Sequence, residues 1–359
     1  TTLRAPTGIV TTFVTNTANV GAAVTITESG IEASGIGITC ANINGAQIGG
    51  RRNLFINGAM QIAQRATSST SGGYVSLDRW YVNLSGGSAT FSQETNSNPS
   101  ETGGIQKYAR YNVSTSSDYT HIRQRIEDVT SVPAGTVIIS FYAKGTAPSG
   151  GLYVSTEQNF GSGGSSSVDG TAVLVTSSLT SSWVRYTAQI TVGSVDGKTI
   201  GAGSYLGVAI GQYSNTGGTA YDLNITGIQL ETGLQATAFE HRSFQEELSL
   251  CQRYFQFLGG SNGTYDSMAT GSCASSTVAY VPHRLLSTMR STPSFTLGGS
   301  ASDFRYTRGS DQTPSALALD QAGANMVAIR VTTSSTSADA ATRLFNVNTT
   351  GSLQFSAEL

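Results

Sequence analysis

Residues 221–257 read YDLNITGIQLETGLQATAFEHRSFQEELSLCQRYFQF. Leu223 and Ile225 alternate with Asp222, Asn224 and Thr226, the pattern of a half-buried strand. Gly227 breaks the phase, and Ile228 and Leu230 resume on the other parity, as a bulge would make them. Ser243 stands three residues before Glu246, an S-x-x-E capping box in which each side chain satisfies a backbone N–H of the other residue. Phe244, Leu248, Cys251, Phe255 and Leu258 then recur at steps of four, three, four and three. That spacing predicts a seam along one connecting helix over residues 241–258, stopped by Gly259 and Gly260. One β-domain closes here and another begins.

Upstream, residues 53–240 carry runs of strand type at 80–84, 107–113, 121–126, 137–143, 183–192 and 205–210, parted by Gly- and Ser-rich loops. Eight or nine strands over that length predict a two-sheet jelly roll. Downstream, residues 259–359 predict a smaller β-sandwich, with a strand–turn–strand element at 289–295 in which Pro293 bars a central strand. Residues 1–52 spread Val10, Phe13, Val14, Val20, Val24 and Ile26 among Thr, Gly and Asn, too sparsely for a core of their own. They predict an extended segment that orders by packing on something else, or a flexible arm. Gly30, Gly35 and Gly37 fit tight turns or a close approach around a symmetry axis. The chain is all-β apart from the one helix.

Composition narrows the function. Charged residues are 12 % of the 359, and 42 residues are glycine, the profile of a turn-rich, extracellular type of β-protein. A net charge of −2 gives no pull toward nucleic acid or membrane surfaces. Cys40, Cys251 and Cys273 make neither a disulfide framework nor a zinc site. No apolar run reaches the length of a membrane span. The opening Thr-Thr-Leu-Arg-Ala-Pro does not read as a signal peptide, and the cysteine usage fits synthesis in a reducing cytoplasm.

The stretch GIQLETGLQATAFEHRSFQEELSLCQRYF resembles a junction found in tail-fibre-like virion structural proteins of tailed bacteriophages. NLFINGAM at residues 53–60, Gln64-Arg65, the run Asp78, Arg79, Trp80, Tyr81, and FSAEL at residues 355–359 resemble further parts of those proteins. The layout of residues 53–240 also resembles jelly-roll carbohydrate-binding modules: an Asn-Gly opening, a strand containing Gln124, a Ser-Phe-Tyr-Ala-Lys strand and a Trp-x-x-Tyr strand. Such modules often hold calcium, but only Asp222 offers a carboxylate at the matching place, so no metal and no cofactor are expected. The resemblance implies a homotrimeric, non-enzymatic virion protein made in the host cytoplasm. It would be a tail fibre held at its N-terminal segment by another virion protein and binding a host-surface glycan or protein receptor. The alternatives are a capsid-surface fibre or decoration protein, and a glycan-depolymerising tailspike.

Alternation around residues 119–129 puts Tyr119, His121, Arg123 and Arg125 on one strand face, with Ile122 and Ile126 on the other. Tyrosine rings stack on sugars, and guanidinium groups reach hydroxyls or acidic groups. These four and Tyr142, of outward parity on the following strand, are the candidate ligand-binding residues. A solvated or subunit-facing sheet with Arg–Glu pairs is the bland alternative. Trp80 and Trp183 read as core. Phe244, Leu248, Cys251 and Phe255 are the candidate oligomer or interdomain contacts. Gly259 to Gly263 matches G-x-S-x-G, but a preceding helix is the wrong context for a nucleophile elbow. No catalytic residue is expected.

Overall fold

The computed structural model describes residues 51–115, 119–213, 219–259, 267–308, 310–334 and 338–359, with the backbone of five short strands before them. Thr1–Asn44 and Gly45–Leu359 form two separate units. In the first, β1 (Thr17–Asn19), β2 (Val24–Thr27) and β3 (Gly30–Ala33) make an antiparallel meander in which Ile26 stands opposite Ala18 and Ile31. The short β4 (Asn42–Ile43) closes that unit, and β5 (Ala46–Gln47) opens the next. Gly35, Gly37 and Cys40 lie outside the described residues.

After β5 the second unit runs through β6 (Ser68–Ser69), β7 (Tyr81–Leu84), β8 (Ser88–Thr95), β9 (Lys107–Thr115), β10 (Thr120–Glu127) and β11 (Gly135–Gly145). It continues through β12 (Leu152–Asn159), β13 (Val168–Asp169), β14 (Val173–Thr176), β15 (Val184–Val192), β16 (Tyr205–Gly211) and β17 (Tyr221–Thr232). One sheet runs β13-β12-β16-β10-β7, with β14 joined to β12, and the other runs β15-β11-β17-β9-β8-β6. The chain changes sheet at every step from β6 to β12 except β8 to β9, and again from β14 to β15, β15 to β16 and β16 to β17. With antiparallel ladders throughout these strands, this is a jelly roll. Alternation decides what lies between the sheets: Ile122, Val154 and Val208 from one meet Val137, Ile139 and Phe141 from the other, all buried. Burial of such side chains from both inner faces drives the sandwich shut, at ~1.5–3 kcal/mol each.

The bulge at Gly227 is present. The β11–β17 register shifts between Ser140 and Tyr142, and Gly227 has φ +61°, a left-handed conformation open to glycine. The bulge brings the Ile228 N–H to the Gly58 carbonyl at 3.0 Å. A Cβ on Gly58 would lie 2.2 Å from the Ile228 oxygen, which is why the opening motif needs glycine there. Trp80 is buried, its indole N–H donating to the Asn57 carbonyl at 3.0 Å. Trp183 is also buried, edge-on to Tyr108.

The helix departs from its expected length. It is α1 (Phe244–Gln252), and Ser243 Oγ accepts from the Glu246 N–H at 3.2 Å. The return half of the capping box is replaced: the Glu246 carboxylate meets Arg51 at 2.5 Å. After Arg253 and Tyr254 the chain extends into β18 (Phe255–Gly259). The F-Q-F-L run fits a strand as well as a helical turn, and the partner strand described next pairs with it. The expected seam is therefore not one stripe. Cys251 and Phe255 are buried, Leu248 is half-buried and Phe244 is 59 % exposed.

The strands β19 (Ser267–Cys273), β20 (Val278–Arg284), β21 (Ser294–Gly298), β22 (Phe304–Arg308), β23 (Ser310–Gln312), β24 (Ala316–Ala322), β25 (Met326–Thr332), β26 (Ala341–Asn346) and β27 (Ser352–Ser356) follow. They form a three-stranded sheet, β18-β27-β21, and a seven-stranded sheet, β23-β22-β26-β19-β20-β25-β24. Phe304, Ile329, Leu344 and Phe355 fill the space between. Residues 289–293 are a loop rather than a strand; Pro293 ends it, and β21 is an edge strand. Gly259 is the last residue of a strand, not the residue after a helix, and the next described element is the strand β19. Ser261 lies outside the described residues.

Candidate functional site

The outward face of the β13-β12-β16-β10-β7 sheet carries a trough of about 340 Å³. Its floor is β16. Across that strand, Gly211 stands between His121 and Tyr153, Ala209 between Arg123 and Ser155, and Gly207 between Arg125 and Glu157. Small residues on the central strand and long ones on both neighbours make a channel without any gap in the backbone ladders. Gly211 could not be larger, since a Cβ there would lie 2.6 Å from the Thr120 carbonyl oxygen.

Arg123 reaches across the floor to Glu157, 3.2 Å away. The Tyr205 hydroxyl lies 3.4 Å from the other Glu157 oxygen, and Arg123 also covers the Tyr81 ring at 4.8 Å. Asp169, opposite Glu157 on β13, adds a second, exposed carboxylate at the rim. One end is aromatic: Tyr213 stands 6.2 Å from Tyr119 and 5.9 Å from Tyr153, ring centre to ring centre. Burial, and secondarily Arg123, push the His121 pKa down to about 3, so the imidazole is neutral at physiological pH. Its Nε2 is buried without a partner among the described residues.

Three of the candidate ligand-binding residues, Tyr119, His121 and Arg123, line this trough together. Arg125 does not. Its guanidinium lies over Tyr81 and Tyr205 and donates to the Leu359 carbonyl. Tyr142 is on β11, in the opposite sheet, because the β10–β11 connection crosses the sandwich; outward parity there means the other outer face. Sequence reading missed Tyr153, Glu157, Asp169 and Tyr213. Two signals were available: Tyr153, Ser155 and Glu157 share one parity of β12, and Gly207, Ala209 and Gly211 are the small parity of β16.

No protein-family model matches the chain, and no curated protein does. Among solved structures it is similar to a CBM4 module, at 15 % identity and TM-score 0.32 over 50 % of this chain and 98 % of that one. It is also similar to the enzymatically active domain of tailspike protein 4 of bacteriophage CBA120, at 14 % and 0.29 over 51 % and 21 %. A third is the tripod from the baseplate of bacteriophage Tuc2009, at 14 % and 0.27 over 54 % and 59 %. Likenesses this shallow carry no argument, and the jelly roll stands on its own strand order.

The sequence motifs quoted above gather away from the trough, where the two sandwiches meet. Arg79 and Arg65 of the jelly roll both pair with Glu358. Arg79 also lies 3.4 Å from the centre of the Tyr254 ring, and Arg65 lies 3.7 Å from that of Phe255. Asp78 accepts from the Gln64 backbone at 2.8 Å and from its amide at 2.5 Å, and that amide also reaches the Phe255 carbonyl at 3.0 Å. Arg253 forks onto Glu127 at 2.8 Å twice, and the Tyr254 hydroxyl joins them at 3.0 Å. At the jelly-roll entry, Arg242 donates to the Phe55 carbonyl at 2.9 Å, and Glu247 accepts from the Asn57 N–H at 2.5 Å. These residues lock helix, entry and distal sandwich together, which is a structural task. Asp222 is engaged by Arg110, with bonds of 2.9, 3.2 and 2.9 Å.

Proposed function

We propose that the chain is a non-enzymatic virion protein of a tailed bacteriophage that attaches to the host by taking a surface glycan into the jelly-roll trough. The observation that carries this reading is the trough itself: an open channel with a backbone-level floor, three tyrosines at one end and an Arg–Glu pair across the middle. Sugars present an apolar C–H face to rings and hydroxyls to such polar pairs. The virion context comes from the resemblance of the motifs at residues 53–60, 78–81 and 227–255. A tail fibre with residues 1–52 docked on another virion protein, assembled as a homotrimer, is the form we favour. Avidity over several copies then multiplies weak contacts.

Ala209→Trp tests this. The half-buried Ala209 points outward from the central strand, so an indole there fills the trough and deletes no polar partner. The variant is expected to fold as the parent and to lose host-cell binding in a fluorescent-protein adsorption assay. Undiminished adsorption would move the receptor site off this face. One observation favours cleavage instead: Glu157 and Asp169 are cross-strand neighbours lining the same trough, and glycoside hydrolysis uses paired carboxylates. Release of reducing ends from host polysaccharide, abolished by Asp169→Asn, would establish that reading.

A further inference from the structure

We propose that the trough selects neutral, hydroxyl-bearing oligosaccharides and rejects acidic ones such as sialylated or uronate-containing chains. This rests on the trough being the glycan site, and it follows from the charges that face into it. The lining holds one guanidinium, Arg123, against two carboxylates, Glu157 and Asp169. The Arg123 charge is already engaged, 3.2 Å from Glu157. The imidazole of His121 faces the arginine at the next outward position of β10 and adds no positive charge. Arg125, at the following outward position, is turned away onto Tyr81, Tyr205 and the Leu359 carbonyl. An acidic sugar would thus meet two carboxylates and one occupied cation, and like charges placed together at a binding surface are a means of rejection.

The same pair suits a neutral pyranose. A hydroxyl both donates and accepts. Arg123 offers donors only and Glu157 acceptors only, side by side, so neighbouring hydroxyls can satisfy both at once. Gly207 and Ala209 form the floor between them, which lets a ring approach without a side chain in its way. Tyr153 and Tyr213 supply flat faces for the next residue of the chain.

A glycan array separates these possibilities. Neutral probes are maltohexaose and mannohexaose; acidic probes are an oligosialate and an oligogalacturonate of matched length. The expected result is neutral binding with acidic binding weaker by about tenfold or more, the scale of one unfavourable charge contact. Glu157→Gln, which frees Arg123 and removes a negative charge, is expected to raise acidic binding by about the same factor. Acidic probes that bind the parent protein as well as neutral ones, and are lost in Ala209→Trp, would overturn the charge argument while leaving the trough as the site. Binding that Ala209→Trp does not touch, or no binding by any probe to the folded protein, would overturn the trough as the glycan site and this inference with it.

Discussion

Replacing Glu358 by alanine should loosen the two sandwiches from each other. The Arg79 side chain is 1 % exposed and that of Glu358 8 %, so solvent cannot take over the lost bond. Removing one partner of a buried ion pair costs about 3–5 kcal/mol, because the other charge stays desolvated. Arg79 keeps the Tyr254 ring and a bond of 2.6 Å to the Arg125 carbonyl, which puts the expected loss at the lower end, about 3 kcal/mol. At about 2–4 °C per kcal/mol for domains of roughly 150–250 residues, the melting temperature of the jelly roll should fall by roughly 6–12 °C. Guanidinium unfolding read by tryptophan fluorescence is a direct assay, since Trp80 is the next residue after Arg79. A second arm uses Arg79→Met with Glu358→Leu. An apolar pair replaces a buried ion pair at little cost, so the double variant should recover the share of the loss that comes from Arg79, while Arg65, the second partner of Glu358, stays unpaired. A single-variant loss below about 1 kcal/mol, the range of exposed pairs, would refute the argument. So would a double variant no more stable than the single.

Burial lifts the Asp78 carboxyl to about 6, against the pull of Arg65 and the Gln64 bonds. The native state therefore holds a proton that the unfolded chain releases near 4. Stability should fall as pH rises from about 4 to about 6, by about 3 kcal/mol in total, and stay flat above; Asp78→Asn should remove that slope from a pH series of guanidinium titrations. Gly227→Ala should cost on the order of 2 kcal/mol, since alanine disfavours a left-handed φ. Its Cβ would also lie 2.8 Å from Ile105 Cδ1 and 3.0 Å from Tyr142 Cδ2. A loss under about 0.5 kcal/mol in the same titration, the scale of a neutral surface change, would contradict it.

Much of the architecture is legible in the chain. Period-two alternation announces β10 and β15, because a strand with one buried face has no other way to sort its side chains. β17, which alternates like a half-buried strand, is instead covered on both faces from Leu223 to Glu231, because it lies in the middle of its sheet under the entry segment and the residues that lead into the helix. The change of parity at Gly227 announces the bulge, and Ser243 announces the helix start. Alternation also places Tyr119, His121 and Arg123 on an outward face. It cannot say which strands lie beside them. Hydrogen-bonded neighbours come from far along the chain, and only the crossings of the jelly roll bring β16 and β12 next to β10. The trough's floor, its second wall and the Glu157 that occupies Arg123 exist only in that arrangement, and the same crossings send Tyr142 to the other side. The helix end is decided likewise. Residues 255–258 fit a helical seam and a strand equally well by pattern. Phe255 pairs with Ser356, and Phe257 with Gln354, and those long-range hydrogen bonds settle the choice.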